Sequence, residues 1–158
     1  MDRIGKNRCS LSRSWYQRQT GQDNEMIRTL RNNTRNFIYD ICRKKSGESI
    51  WTTFGAYQKK VQPRGFIKDF VPLNARATNH YGDRSCVAYL VNRYLDPFIV
   101  RYFGRRNVVI DQDKYALSEM LQFIWRSAVR NKKPIDLYVP SKRMRTLLTE
   151  WIDQQESI

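Results

Sequence analysis

Apolar positions along this chain switch between two spacings, and the switches mark out its elements. Over residues 25–44, Met26, Ile27, Leu30, Phe37, Ile38 and Ile41 follow helical spacing until Ser46-Gly47 breaks the run. Residues 49–54 (SIWTTF) are β-branched and aromatic and predict a short buried strand. A helical turn or two over 56–62 precedes the Pro63-Arg64-Gly65 break. Residues 66–73 alternate enough to predict a second strand, with Pro72 restricting its far end. After the polar turn ARATNHYGDR, residues 85–92 (SCVAYLVN) predict a third.

Asp96-Pro97 opens a helix to Phe103, since proline fits the first helical position, and Gly104 ends it. Asp111 caps a long helix whose apolar face is Leu117, Leu121, Ile124 and Ala128, with Met120 and Trp125 beside it. On that helix Gln122, Arg126 and Arg130 are four apart and project from the opposite side. Residues 135–139 (IDLYV) predict a fourth strand. Ser141 caps a last helix in which Met144, Leu147, Leu148, Trp151 and Ile152 keep helical spacing. The order αβαβ–β–α–α–β–α predicts an α/β layer fold, with helices packed on a small, largely parallel sheet. The polar, basic residues 1–22 are expected to be loosely ordered or docked on something else. Residues 23–158 form a single domain.

Charge changes the picture more than hydropathy does. The chain carries a formal net charge of +14 on 158 residues, with 41% hydrophobic and 13% aromatic residues. That composition buries a real core and excludes a disordered tail. Residues 1–65 hold 14 Lys/Arg against 5 acids and residues 66–158 hold 15 against 10, so the first part is the more basic. A folded domain of this balance points to nucleic acid, because Lys and Arg displace condensed counterions from phosphates. A basic surface for solubility or for a protein partner is the alternative. Cys9, Cys42 and Cys86 form no CxxC pair and fit a reducing cytosol, and with the single His80 they offer no metal-ligand spacing. No apolar run reaches membrane-spanning length, and the start MDRIGKNRCS has no signal-peptide core, so the expectation is a cytoplasmic protein without a membrane partner.

Candidate chemistry is confined to phosphate handling. No GxxxxGK[ST], no acidic magnesium motif and no nucleophile context occur. An arginine held on a rigid helix, as Arg126 or Arg130 beside Gln122, can stabilise charge on a phosphoryl group. An ordinary solvated helix face explains the same row. Lys142, Arg143 and Arg145 open the last helix against its macrodipole, which makes sense if a phosphate lies between them and the free N–H groups. Otherwise they point into solvent. The turn 74–84, with Arg76, Thr78, Asn79 and Arg84, suits a nucleic acid backbone or is a plain connection. Trp15, Tyr16, Trp51 and Tyr57 either stack on bases or, the commoner outcome, are buried.

The ordered series LSRSWY (11–16), WTTFGAYQKKV (51–61), GFIKDFVPLNARATN (65–79), VAYLVNRYLDPF (87–98), ALSEMLQFIWRSAVR (116–130) and PIDLYVPSKRMRTLL (134–148) resembles the C-terminal portion of DEAD/DEAH-type helicases of phages and mobile elements of Gram-positive bacteria. The resemblance covers nearly the whole chain from Leu11 onward. It implies a RecA-like three-layer lobe, the second of two, acting in processes such as DNA replication. Such lobes carry a QxxGRxxR-type motif whose arginines touch the γ-phosphate. Gln122 and Arg126 match it, Trp125 replaces the glycine, and Arg130 lies one residue late. Thr78 and Asn79 fall where the family contacts nucleic acid, without the glycine usual there.

The resemblance implies nucleic acid as partner, DNA before RNA, and a P-loop ATPase lobe supplied by another chain or segment. ATP and Mg would then be held only in a composite site, with Arg126 as the finger, and this chain alone would not be an enzyme. The rivals are a non-enzymatic basic DNA/RNA-binding accessory protein for replication or regulation, and a protein-interaction module that imitates a helicase lobe.

Overall fold

The computed structural model describes residues 4–21, 24–75 and 79–157. Three short strands, β1 (Ser49–Thr52), β2 (Cys86–Tyr89) and β3 (Asp136–Tyr138), form one sheet in the order β1-β2-β3. Both pairings are parallel, with Ser49 opposite Cys86 and Cys86 opposite Asp136. Every residue of β1 and β2 is buried, as expected where helices and loops cover both faces of a parallel sheet. The expected α/β layer fold with a small parallel sheet is therefore present. The helices are α1 (Arg13–Arg18), α2 (Glu25–Arg35), α3 (Gln58–Val61), α4 (Pro97–Gly104), α5 (Gln112–Ile124) and α6 (Lys142–Glu156).

Side-chain caps set most helix starts. Asn24 accepts from the amides of Met26 and Ile27 at 3.0 and 3.2 Å, Asp111 from those of Asp113 and Lys114, and Ser141 from that of Met144. The helix expected over 25–44 ends earlier. After α2 the chain widens into a π-helical turn over Asn36–Ile41, closed by Cys42 N–H donating to Phe37 O at 2.9 Å. That winding keeps Ile38 buried and turns Ile41 out to solvent.

Three further expectations fail, each for a local reason. Residues 66–73 are not a strand: a 3₁₀ turn over Ile67–Asp69 is followed by a single parallel bridge between Phe70 and Trp51. The buried Asp69 carboxylate holds this turn by accepting from Ser46 Oγ, Gly47 N–H and Ser49 Oγ, while Pro72 has no amide to extend a ladder. The row Gln122–Arg126–Arg130 is not on one helix. α5 stops at Ile124, where buried Ser127 turns extended and its hydroxyl takes the Ile124 carbonyl at 2.6 Å. Arg130 then sits in a separate 3₁₀ turn, Ala128–Asn131.

The third concerns the N-terminal segment: of the two expectations, loose or docked, its described residues 4–21 are docked, against the rest of this domain. Ile4, Leu11, Trp15 and Tyr16 are core residues, and Tyr16 stacks on Tyr57 with ring centroids 4.9 Å apart. Gly5 O accepts from the amide of Lys142, and Asn92 N–H donates to Leu11 O. Gly5 has φ +92°, and a Cβ placed there would lie 1.9 Å from Pro140 O. Gly5→Ala is accordingly expected to lower stability by about 2–3 kcal/mol in urea titration, through both the left-handed backbone and the clash. Gly65→Ala shares a positive φ of +89° but meets nothing within 4 Å, and should lose only about 1 kcal/mol. Equal losses would mean the segment does not pack against Pro140.

Candidate functional site

Open parallel sheets bind ligands beyond the carboxyl ends of their strands, and the cleft of this fold lies there. It has a volume of about 790 Å³ and is walled by the exits of β1 (Phe54) and β2 (Asn92 to Asp96), by Ser12, Arg13, Ser14 and Gln17 of the N-terminal segment, by Pro97, Ile99, Val100 and Arg101 of α4, and by Gln112 and Tyr115 of α5. Arg13 and Arg93 approach the Phe54 ring with guanidinium carbons 5.7 and 6.0 Å from its centroid. Arg93 Nε donates to Tyr115 Oη at 3.3 Å and lies 3.7 Å from Glu119. Asp96 is the one carboxylate on the wall, and its oxygen is engaged in capping α4 by accepting from Phe98 N–H at 2.7 Å. The wall therefore carries Arg13, Arg93 and Arg101 against a single acid.

Behind the cleft, Arg143 ties the carboxyl edge together. Its Nη1 donates to Asn92 Oδ1 and to Arg93 O, both at 2.8 Å, its Nε to Asp113 Oδ1 at 2.9 Å and its Nη2 to Gln112 O at 3.3 Å. The guanidinium lies 4.1 Å over the Tyr94 ring. Asn92 passes the restraint on, donating from Nδ2 to Arg8 O and Ser10 O, while Tyr94 Oη donates to Arg8 O. The segment after β2 and the starts of α5 and α6 thus meet on Arg143, and the N-terminal segment joins them through Asn92 and Tyr94.

The site residues expected from sequence are distributed over both ends of the sheet. Arg143 is buried and fully engaged, Arg145 donates to Val139 O and Pro140 O at 2.7 Å each, and Lys142 is exposed. All three sit at the carboxyl edge. The segment 126–131 sits at the amino edge, because Ala128 N–H donates to Arg84 O, two residues before β2. There Arg126 donates to the carbonyls of Pro72, Leu73 and Ala75, with the shortest bond 2.7 Å, and desolvation pulls its pKa below the usual arginine range. Gln122 is exposed and bonds only its neighbour Ser118, Arg130 is exposed, and Arg84 lies 3.3 Å from Asp83. Arg76, Thr78 and the side chain of Asn79 lie outside the described residues. The structure thus separates Gln122, Arg126 and Arg130 from the Lys142–Arg145 cluster.

Sequence reasoning missed Arg13, Asn92, Arg93, Tyr94 and Arg101. Asn92 ends a run of apolar residues on a strand, the position where a polar residue points out of the sheet's edge, and this was the available signal. Burial pushes the thiols of Cys42 and Cys86 up, and all three cysteines are free. No group of His, Cys, Asp and Glu able to hold a metal occurs among the described residues, nor any helix long and apolar enough to cross a membrane. Arg143→Met should cost about 3–4 kcal/mol by chemical denaturation, because it leaves Asn92 Oδ1 and Asp113 without their donor. Arg145→Ala, whose guanidinium is mostly in water, should cost under about 1 kcal/mol. A loss below that level for Arg143→Met would remove it as the organising side chain.

Comparison with known proteins agrees with the architecture. Residues 1–152 match the family described as the YonV C-terminal Rossmann-like domain. The SPbeta prophage-derived uncharacterized protein YonV of Bacillus subtilis (strain 168) is 38% identical over 155 residues, which is 98% of this chain and 37% of that protein. The chain thus spans a little over a third of that relative's length. No solved structure matches it significantly. With a parallel sheet covered on both faces and a match running through nearly every element, the chain belongs to the YonV C-terminal Rossmann-like domain family.

Proposed function

We propose that this domain binds nucleic acid through phosphate contacts in the cleft at the carboxyl edge of the sheet, as a non-enzymatic module of phage type. One observation carries the reading: Arg13, Arg93 and Arg101 line that cleft against a single carboxylate, which is already engaged as a helix cap. A net charge of +14 supplies the long-range attraction that such a cleft focuses. The apolar floor around Phe54 and Tyr94 lowers the local dielectric, so each guanidinium–phosphate contact there counts for more than one in open water.

The finer reading, a helicase second lobe that lends Arg126 to ATP held by a partner lobe, keeps the same fold class. It requires Arg126 to give up three carbonyl bonds before it can reach a nucleotide. It also leaves the cleft arginines, at the other end of the sheet, without a part in the phosphate chemistry. The phosphate-binding cleft asks for less: Arg93 has one bond to Tyr115 and lies 3.7 Å from Glu119, and Arg101 has one exposed bond to Pro97 O.

Fluorescence anisotropy with a labelled oligonucleotide tests the proposal. If roughly five phosphates of a single strand are contacted, affinity should fall about 100-fold between 50 and 200 mM salt. Arg13→Ala with Arg93→Ala should weaken binding about tenfold or more and flatten the salt dependence. Lys132→Ala with Lys133→Ala, near the amino edge, should change it much less. Salt-independent binding, or equal losses from the two pairs, would overturn the assignment.

A further inference from the structure

Among the described residues, α4 is the helix that ought not to stand alone. Its sequence PFIVRYFG is mostly apolar, yet none of its eight residues is buried. Phe98 is 69% exposed, Tyr102 46%, and in the loop that follows Val109 is 95% exposed. An eight-residue helix has little intrinsic stability in water. This one is held by Asp96 at its cap, Pro97 at its first position and the hydrogen bond from Arg105 N–H to Arg101 O at its end. A contiguous apolar surface kept in water marks an interaction site.

The composition of the surface selects the partner. Phe98, Arg101 and Tyr102 share one face of α4, and Arg105 at its C-cap and Arg106 in the turn beyond add two more guanidinium groups beside it. Between Pro97 and Ile110 there is no acid. The Arg106 guanidinium lies 3.8 Å over the Tyr102 ring and its Nη1 donates to Tyr102 O at 3.3 Å, which fixes the ring before any ligand arrives. Phe98 and Tyr102 are one turn apart, about 6 Å along the axis. Arg106 covers one face of Tyr102 and Phe103 meets that ring at 5.4 Å in a T-shaped contact, so Phe98, 69% exposed, is the more open ring. Aromatic rings beside cations suit unpaired bases, since every base has a π-face and every link a phosphate. A duplex keeps its base faces stacked inside and would use only the arginines.

Position supports the same partner. Pro97, Ile99, Val100 and Arg101 form one wall of the carboxyl-edge cleft, and the face carrying Phe98 and Tyr102 joins that wall at Arg101. A strand whose phosphates run past Arg13, Arg93 and Arg101 meets Phe98 and Tyr102 as it leaves. We propose that α4 and the loop to Ile110 form a base-stacking platform that makes single-stranded nucleic acid the ligand of this domain. This inference rests on the phosphate-binding reading of the cleft and adds strandedness to it.

The test compares a labelled oligothymidylate with a duplex of the same length, bound to the full chain and to two double variants. Phe98→Ala with Tyr102→Ala should weaken single-strand binding about tenfold per ring and leave duplex binding within about twofold. Phe98→Leu with Tyr102→Leu keeps the apolar area and removes the π-faces, and should lose nearly as much. Because these side chains support no core, melting temperatures should be unchanged, which separates a lost contact from a lost fold. Salt-sensitive binding that the ring variants leave intact, or that the Leu pair fully preserves, overturns the platform while the cleft reading stands. In that case the apolar face is a protein contact. Equal affinity of the wild-type chain for duplex and single strand also overturns it. No salt-sensitive binding of either ligand sinks both proposals.

Discussion

A guanidinium is costly to bury unless every donor finds an acceptor, and the carboxyl edge of this domain is arranged around satisfying one. Arg143 reaches Asn92 and Arg93 after β2, Gln112 and Asp113 at the start of α5, and the Tyr94 ring. The strands themselves are only three or four residues long, and the sheet bonds end at Tyr89 and Tyr138. Beyond that point two backbone bonds hold the chain after β2, from Leu90 N–H to Thr52 O and from Asn92 N–H to Leu11 O, and side chains supply the rest. Asn92 extends the network to Arg8 and Ser10, which is why residues far apart in sequence form one wall.

The same arginine explains why the site was only partly legible. Three basic residues in the first turn of a helix oppose its macrodipole, and an external phosphate is one way to resolve that conflict. The chain resolves it for Arg143 internally, with the Asp113 carboxylate thirty residues earlier, and for Arg145 with two backbone carbonyls. Spacing along one helix carries no trace of a partner on another. Arg126 repeats the lesson at the amino edge, where three carbonyls of the 72–75 loop occupy what sequence spacing offered as a free cation. A basic residue in sequence names a donor, and only the fold names its acceptor.

The elements themselves were more readable. The caps Asp96, Asp111 and Ser141 stand where local chemistry puts them, and β1 and β2 lie within the β-branched and aromatic runs. Misreadings came where a side chain competes with the backbone. Asp69 draws three donors into a turn over what alternation suggests is a strand, and Ser127 takes a carbonyl from the helix that hydrophobic spacing would continue. The N-terminal segment was misjudged for another reason. Its polarity is real, but Ile4, Leu11, Trp15 and Tyr16 are too sparse to show a period and are enough to anchor it.

The organisation of charge then follows from how firmly the fold commits each cation. Arg126 and Arg143 are committed to internal acceptors at opposite ends of the sheet, and each serves the frame. Arg13 and Arg101 stay exposed at the cleft, with Arg93 half-buried beside them, and Arg101, Arg105 and Arg106 share the α4 segment with exposed rings. Apolar surface and positive charge are kept together there although neither supports the core. Such an arrangement is unfavourable for an isolated soluble domain, since it exposes rings to water and sets like charges side by side. A ligand that neutralises the charge and covers the rings in one contact removes both costs. The cost of leaving α4 uncovered is therefore the physical ground for proposing a ligand at this end of the sheet.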